Sequence, residues 1–220
     1  MKNILSILIL LTISGFCFSQ QDSTLIRFIY PVDNDLRIRD ELLGIQQINI
    51  ECTDTLIRGK KFFLTISEFQ NGKIINNDTT NAHCGLEIIP LKVGDKHFNI
   101  HVDICDKMSF AKSDSVYELS FIGILKNEVF DMRVNYPGKK SKIELKGTDN
   151  YALRWVNSCS NTNEMRIPLN KKIPVLTYAP PVKSENDGYS SYCIQGESDV
   201  DSWFDSFQIE HYYVFYIEVE

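Results

Sequence analysis

The residues able to do chemistry in this chain are five cysteines beyond residue 19, four histidines and a scatter of carboxylates. Cys52, Cys84, Cys105, Cys159 and Cys193 contain no C-x-x-C pair, which removes a zinc knuckle and a thioredoxin-type redox centre. An odd set allows at most two internal bridges and leaves one thiol over. His97, His101 and Asp103 carry metal-ligating atoms, but residues four apart on a strand lie ~13 Å from one another. Two imidazoles at that separation cannot share an ion, so the three read as a polar stripe facing solvent. His83 adjoins Cys84 and points to the opposite face, and His211 reads as a satisfied core histidine. The acidic group Glu197, Asp199, Asp201 and Asp205 lacks the glycine and bidentate glutamate of an EF-hand loop. Helix capping accounts for two of its members. No metal or cofactor site is assigned.

Catalytic signatures are equally sparse. There is no G-x-S-x-G elbow, since Gly188-Tyr189-Ser190-Ser191 lacks the second glycine, no H-E-x-x-H and no phosphate-cradling glycine loop. A glycosidase carboxylate pair needs no local motif, so a secreted, carboxylate-dependent hydrolase stands as an alternative without named residues. Modification is better marked. Asn77-Asp78-Thr79 is an N-glycosylation sequon. Asp22-Ser23-Thr24, Asp54-Thr55-Leu56, Asp78-Thr79-Thr80 and Asp114-Ser115-Val116 share a form that resembles the acceptor pattern of a bacterial secretory O-glycosylation system, which would place sugars on Ser23, Thr55, Thr79 and Ser115. Such pairs are also ordinary turn and strand-edge residues. Aromatics expected at the surface are Tyr212 and Tyr216 on the last strand, and Tyr189 and Tyr192 beside a Pro-rich loop. They are candidates to stack on sugars or anchor a protein.

The elements that hold these residues are strands. Period-two alternation broken by turn residues dominates the chain. Phe98, Ile100, Val102 and Ile104 alternate with polar neighbours, as do Tyr117, Leu119, Phe121 and Leu125. In the terminal segment Phe207, Ile209, Tyr213, Phe215, Ile217 and Val219 share one face. Asn71-Gly72 is a hairpin turn joining residues 62–69 to 73–79. A turn at Lys126-Asn127 sets Leu119 against Val134 and Phe121 against Met132, with Phe130 over Gly123. A second, at Pro137-Gly138, sets Met132 against Ile143 and Phe130 against Leu145. Residues 61–146 therefore read as one meander of consecutive antiparallel strands.

The same register logic makes a thiol prediction. A turn at Gly94-Asp95 places Cys84 opposite Cys105 at a non-hydrogen-bonded pair, where Cα atoms stand ~4.5 Å apart, at the short end of the disulfide range. By elimination Cys159 pairs with Cys193, leaving Cys52 free beside Ile48 and Ile50. Short helices are expected near Ser198–Phe207, with Ser198 as cap and Asp201 in the capping box, and over residues 35–43, closed by Gly44. Residues 179–191 read as a long loop. Residues 146–150 mark either a boundary between two sub-modules or a crossover within one sandwich.

Residues 1–19 complete the expectation. Lys2, an apolar run over residues 4–13 and the small residues Cys17 and Ser19 form a signal-peptide pattern, cut after Ser19, leaving a β-rich domain over 20–220. Cys17 is an alternative lipid-anchor site, although bulky Phe16 stands where lipoprotein signals place a small residue. The net charge of −6 and the lack of a basic, aromatic-rich face exclude a nucleic-acid role. The apolar run is too short for a transmembrane span. The expected fold is all-β, an antiparallel sandwich with one or two short helices. The expected role is a non-catalytic module of the cell envelope, periplasmic or extracellular, structural or binding a protein or glycan, with no cofactor and no specified oligomeric state. A β-barrel carrier of a small apolar ligand is a further alternative.

Overall fold

A computed structural model describes residues 22–30, 34–57, 60–79, 86–103, 117–136, 139–156, 158, 162–183, 190–191 and 199–220. The chain is an antiparallel all-β sandwich. One sheet has the order β11 (Glu164–Pro168), β1 (Ser23–Ile29), β2 (Ile45–Cys52), β7 (Tyr117–Lys126), β8 (Val129–Tyr136), β9 (Lys139–Lys146). The other runs β10 (Ala152–Trp155), β12 (Ile173–Ala179), β15 (His211–Val219), β3 (Phe62–Gln70), β4 (Lys73–Thr79). Both sheets draw strands from either side of residues 146–150.

The alternation in the sequence decides which side chains meet between the sheets. Ile26 and Phe28, Ile48 and Ile50, Leu119 and Phe121, and Phe130, Met132 and Val134 all point inward from the first sheet. Phe62, Leu64 and Ile66 of β3 and Phe215, Ile217 and Val219 of β15 answer from the second. Each such side chain contributes roughly 1.5–3 kcal/mol by leaving water. The rings interlock, with Phe130 stacked on Tyr178 at 4.3 Å and Phe121 edge-on to Phe215 at 5.9 Å. Cys52 lies in this core as a free, buried thiol.

β15 has both edges paired, between β12 and β3, and both of its faces are covered. Its outer face, Tyr212 and Val214, packs with Phe69 beneath a helical segment that brings Val200 and Trp203 onto the sheet. That segment is a 3₁₀ turn (Val200–Ser202) running into helix α2 (Trp203–Phe207). Its cap is Asp199, whose side chain accepts from the Asp201 N–H, one residue after the expected Ser198. Tyr212 is therefore fully buried, not a surface ring as its place in the alternation suggests. Tyr216 is half-buried, with its hydroxyl donating to Asp201 and Lys172 4.4 Å above its ring.

The hairpins expected from the sequence form, with two corrections. Asn71 and Gly72, both at positive φ, join β3 to β4 as expected. The β8–β9 register pairs Met132 with Ile143 and Phe130 with Leu145, also as expected. The β7–β8 turn, however, is Asn127-Glu128, both left-handed, and Phe121 pairs with Val134. A shift of two residues preserves which face each side chain takes, so the core assignment survives the wrong turn. The second correction concerns the meander. β3–β4 and β7–β9 lie in different sheets, and β5 (Leu86–Val93) pairs with β6 (Lys96–Asp103) as a separate ribbon. Two hairpins with one apolar face each bury more by facing one another than by continuing a single sheet. Helix α1 (Asn34–Leu42) joins β1 to β2 and ends at Gly44, φ +67°. Val182–Lys183 (β13) pairs with Ser190–Ser191 (β14) within the expected 179–191 loop. No described helix is long and apolar enough to cross a membrane.

Candidate functional site

A cleft lies where β1 gives way to α1 and β2, against the edge strand β10. It holds about 320 Å³ and is lined by Tyr30, Arg37, Asp40, Glu41, the start of β2 from Ile45 to Gln47, and Ala152 to Arg154. Each wall has a local cause. Leu153 turns into the core and anchors β10, which sets Arg154 half-exposed beside it. Tyr30 follows the last residue of β1 and leans on Trp155 at 5.0 Å, and Trp155 stacks on buried Phe28 at 5.5 Å and 10°. Three rings thus form a graded stack from core to surface, with Tyr30 45% exposed at its outer end.

Two polar groups of the cleft, Asp40 and Gln46, are held by hydrogen bonds. Asp40 is buried on α1, where Arg39 Nε and Nη2 both donate to its Oδ1 at 3.0 and 2.7 Å. Arg37 stands 3.9 Å from Glu41 one turn on, an exposed pair worth little to stability. Gln46 spans the gap between the sheets, its amide N–H donating to Tyr151 O while its Oε1 accepts from Leu153 N. This satisfies backbone groups on the edge strand that would otherwise template another chain. Partial burial raises the Tyr30 phenol, and the Arg154 guanidinium acts in the opposite direction.

Tyr151 continues the polar seam across the end of the core. Its hydroxyl lies 3.1 Å from His211 Nδ1 and 3.0 Å from the His211 carbonyl. His211 Nε2 is 3.0 Å from Glu68 Oε1, which also accepts from the Tyr213 hydroxyl at 3.0 Å. Tyr213 in turn accepts from Lys146 N, returning the chain of bonds to the first sheet. His211 Nε2 faces the Glu68 carboxylate, and the single Tyr151 proton serves the His211 carbonyl or Nδ1. Burial pushes the Tyr213 and Tyr151 phenols up, so neither is poised as a nucleophile or base. This seam links the two sheets through hydrogen-bonded polar groups and lines two shallow clefts of about 310 Å³ each.

The residues singled out by sequence are dispersed. Ser23 is half-buried in β1 opposite Pro168; Thr55 lies in a short 3₁₀ turn (Thr55–Ile57) where Asp54 accepts from Leu56 N. Thr79 ends β4 with its hydroxyl 2.9 Å from that of Thr65, and Asn77 accepts from Ser67. Ser115, Cys17, Cys84, Cys105, Cys159, Cys193, His83, Tyr189 and Tyr192 lie outside the described residues. The β5–β6 register, Leu86 opposite Asp103 and Val93 opposite Lys96, is the one on which the Cys84–Cys105 expectation rests. Asp199, Asp201 and Asp205 serve the helical segment, and no group of three metal-ligating side chains converges among the described residues. Sequence reasoning missed the cleft. Tyr30, just after β1, and Trp155, on β10, belong to different sheets, and the one signal available was that Trp155 is one of only two tryptophans.

Fold and site together define an all-β antiparallel sandwich with a mixed aromatic and polar cleft at the β1–β2 crossover. No protein-family model matches the chain, and no curated protein or solved structure matches it.

Proposed function

We propose that this chain is an exported, non-catalytic β-sandwich module that engages a protein or glycan partner of the cell envelope through the Tyr30 cleft. The observation that carries the reading is the Phe28–Trp155–Tyr30 stack beside Asp40, which Arg39 holds, with Arg37 and Arg154 lining the same cleft. A ring whose orientation is already paid for by packing loses little entropy when a partner covers it. Export rests on the leader pattern of residues 1–19, with cleavage after Ser19. Two features weigh against the alternatives. The two carboxylates of the cleft, Asp40 and Glu41, each stand against an arginine, where a glycosidase would need a free pair across the substrate. The space between the sheets is filled by stacked rings and aliphatic side chains, where a carrier would need a hollow.

The test is gentle crosslinking of the purified mature protein on envelopes of the native cell, wild type beside Tyr30→Ala, with intact-mass analysis of the native product. The expected result is a retained envelope component that the variant loses, on a chain beginning at Gln20. A wild type that retains nothing, or a variant that retains the same component equally, overturns the reading.

A further inference from the structure

Resting on that reading of the cleft, we infer that its ligand is a carbohydrate, with a pyranose ring seated on Tyr30 and its hydroxyls read by Asp40, Arg37, Arg154 and Gln47. The inference starts from the size and the mixed lining. A volume of about 320 Å³ stands at the small end of ligand sites, room for one or two sugar rings. A protein anchor needs an apolar socket that can be fully dried, and here the walls carry two guanidiniums, two carboxylates and the Gln47 amide. Such groups stay solvated against an apolar side chain and lose hydrogen bonds to water without replacement.

A sugar meets the same lining differently. Each hydroxyl both donates and accepts, so a vicinal pair is matched by a carboxylate that accepts beside a guanidinium that donates. Asp40 is suited to this because both Arg39 donors fall on Oδ1, and a carboxylate keeps acceptor capacity on its second oxygen. Arg39 also holds the carboxylate in one rotamer, so little freedom is lost on binding. Tyr30 supplies the apolar half of the match. The C–H face of a pyranose lies on an aromatic ring, and this ring is exposed, tilted 47° on Trp155 and backed by Phe28. Ile45, Ala152 and Leu153 provide the remaining apolar lining. Gln46 takes no part, because both ends of its amide are committed to β10.

The test is a printed array of bacterial-envelope oligosaccharides probed with wild type, Tyr30→Phe, Tyr30→Ala and Gln47→Ala, followed by titration of the best binder. Tyr30→Phe keeps the ring and is expected to retain binding within about threefold, while Tyr30→Ala weakens it at least tenfold. Gln47→Ala weakens it severalfold without altering the melting temperature. If nothing on the array binds, or Tyr30→Ala binds as wild type does, the carbohydrate assignment is wrong. Should the array stay blank while Tyr30→Ala still abolishes crosslinking to an envelope protein, the cleft is a protein site and only this inference fails. If crosslinking is also unaffected, both readings fall together.

Discussion

Gly123 stands bare on β7 because the ring of Phe130 occupies the space a Cβ would need. The pair is diagonal, since Phe130 lies directly opposite Leu125 and Gly123 opposite Met132. The ring cannot yield, being stacked at 4.3 Å on Tyr178, whose hydroxyl and ring edge close over Gly147 in the same way. Gly123→Ala should therefore destabilise the fold by ~1–3 kcal/mol through overpacking. Urea unfolding with an unchanged m-value would show it, and an alanine variant as stable as wild type would mean the ring has another place to go. At this scale the sequence is legible only in part. An aromatic over a glycine is legible for Phe130 and Gly123, because alternation fixes the face. Tyr212 reads wrongly as a surface ring, because alternation does not say what covers the other face. Here Trp203, 5.3 Å away, and Phe69, stacked at 4.7 Å, do so.

Elements differ in how much of their cause is local. The hairpins at Asn71-Gly72, Gly94-Asp95 and residues 137–138 are legible because turn chemistry and period-two patterning agree within some twenty residues. The allocation of those hairpins to two sheets is not, since it depends on β1, β2 and β15 inserting as neighbours from distant parts of the chain. The cleft inherits that difficulty, being assembled from β1, α1, β2 and β10. The β5–β6 ribbon shows the reverse case, an element whose register is local while its anchorage is not. Leu91 and Phe98, cross-strand partners, are both exposed, so the ribbon gains little from packing on its tip. A cross-strand bridge at its base would confine it, and the expected Cys84–Cys105 pair lies outside the described residues. Non-reducing peptide mapping should recover Cys84 joined to Cys105, and Cys159 to Cys193. A bridge from Cys84 or Cys105 to any other cysteine would mean the strands slip beyond the described ladder.

The molecule as a whole is braced by groups that stay neutral only while buried, and this gives it an alkaline weakness. Burial pushes the Cys52 thiol up to about 12, with nearby Glu51 adding to the effect. It also raises the phenols of Tyr212, Tyr213 and Tyr216, the first and last further held up by Asp201. In each case the folded chain keeps a proton that the unfolded chain releases at its ordinary value, about pH 8.5 for a thiol and about 10 for a phenol. The unfolded state thus binds fewer protons across the window between the two values, and stability falls as pH rises through it. Cys52 alone sets a slope of about 1.4 kcal/mol per pH unit between its unfolded value and about 12, and the tyrosines steepen it from about pH 10. Below about pH 8.5 these groups are protonated in both states and contribute no pH dependence. Circular-dichroism melts across the alkaline range should show a melting temperature that is level near neutrality, declines above about pH 9 and drops faster beyond about pH 10. Cys52→Ala should remove the first part of that decline while lowering stability at neutral pH, because it leaves a small void between Ile50 and the opposing sheet. A late fraction of the tyrosinate absorbance should appear together with loss of the strand signal. A melting temperature that stays level well beyond about pH 10, or tyrosines that all titrate while the strand signal is intact, would mean that the core near Cys52 and β15 admits water.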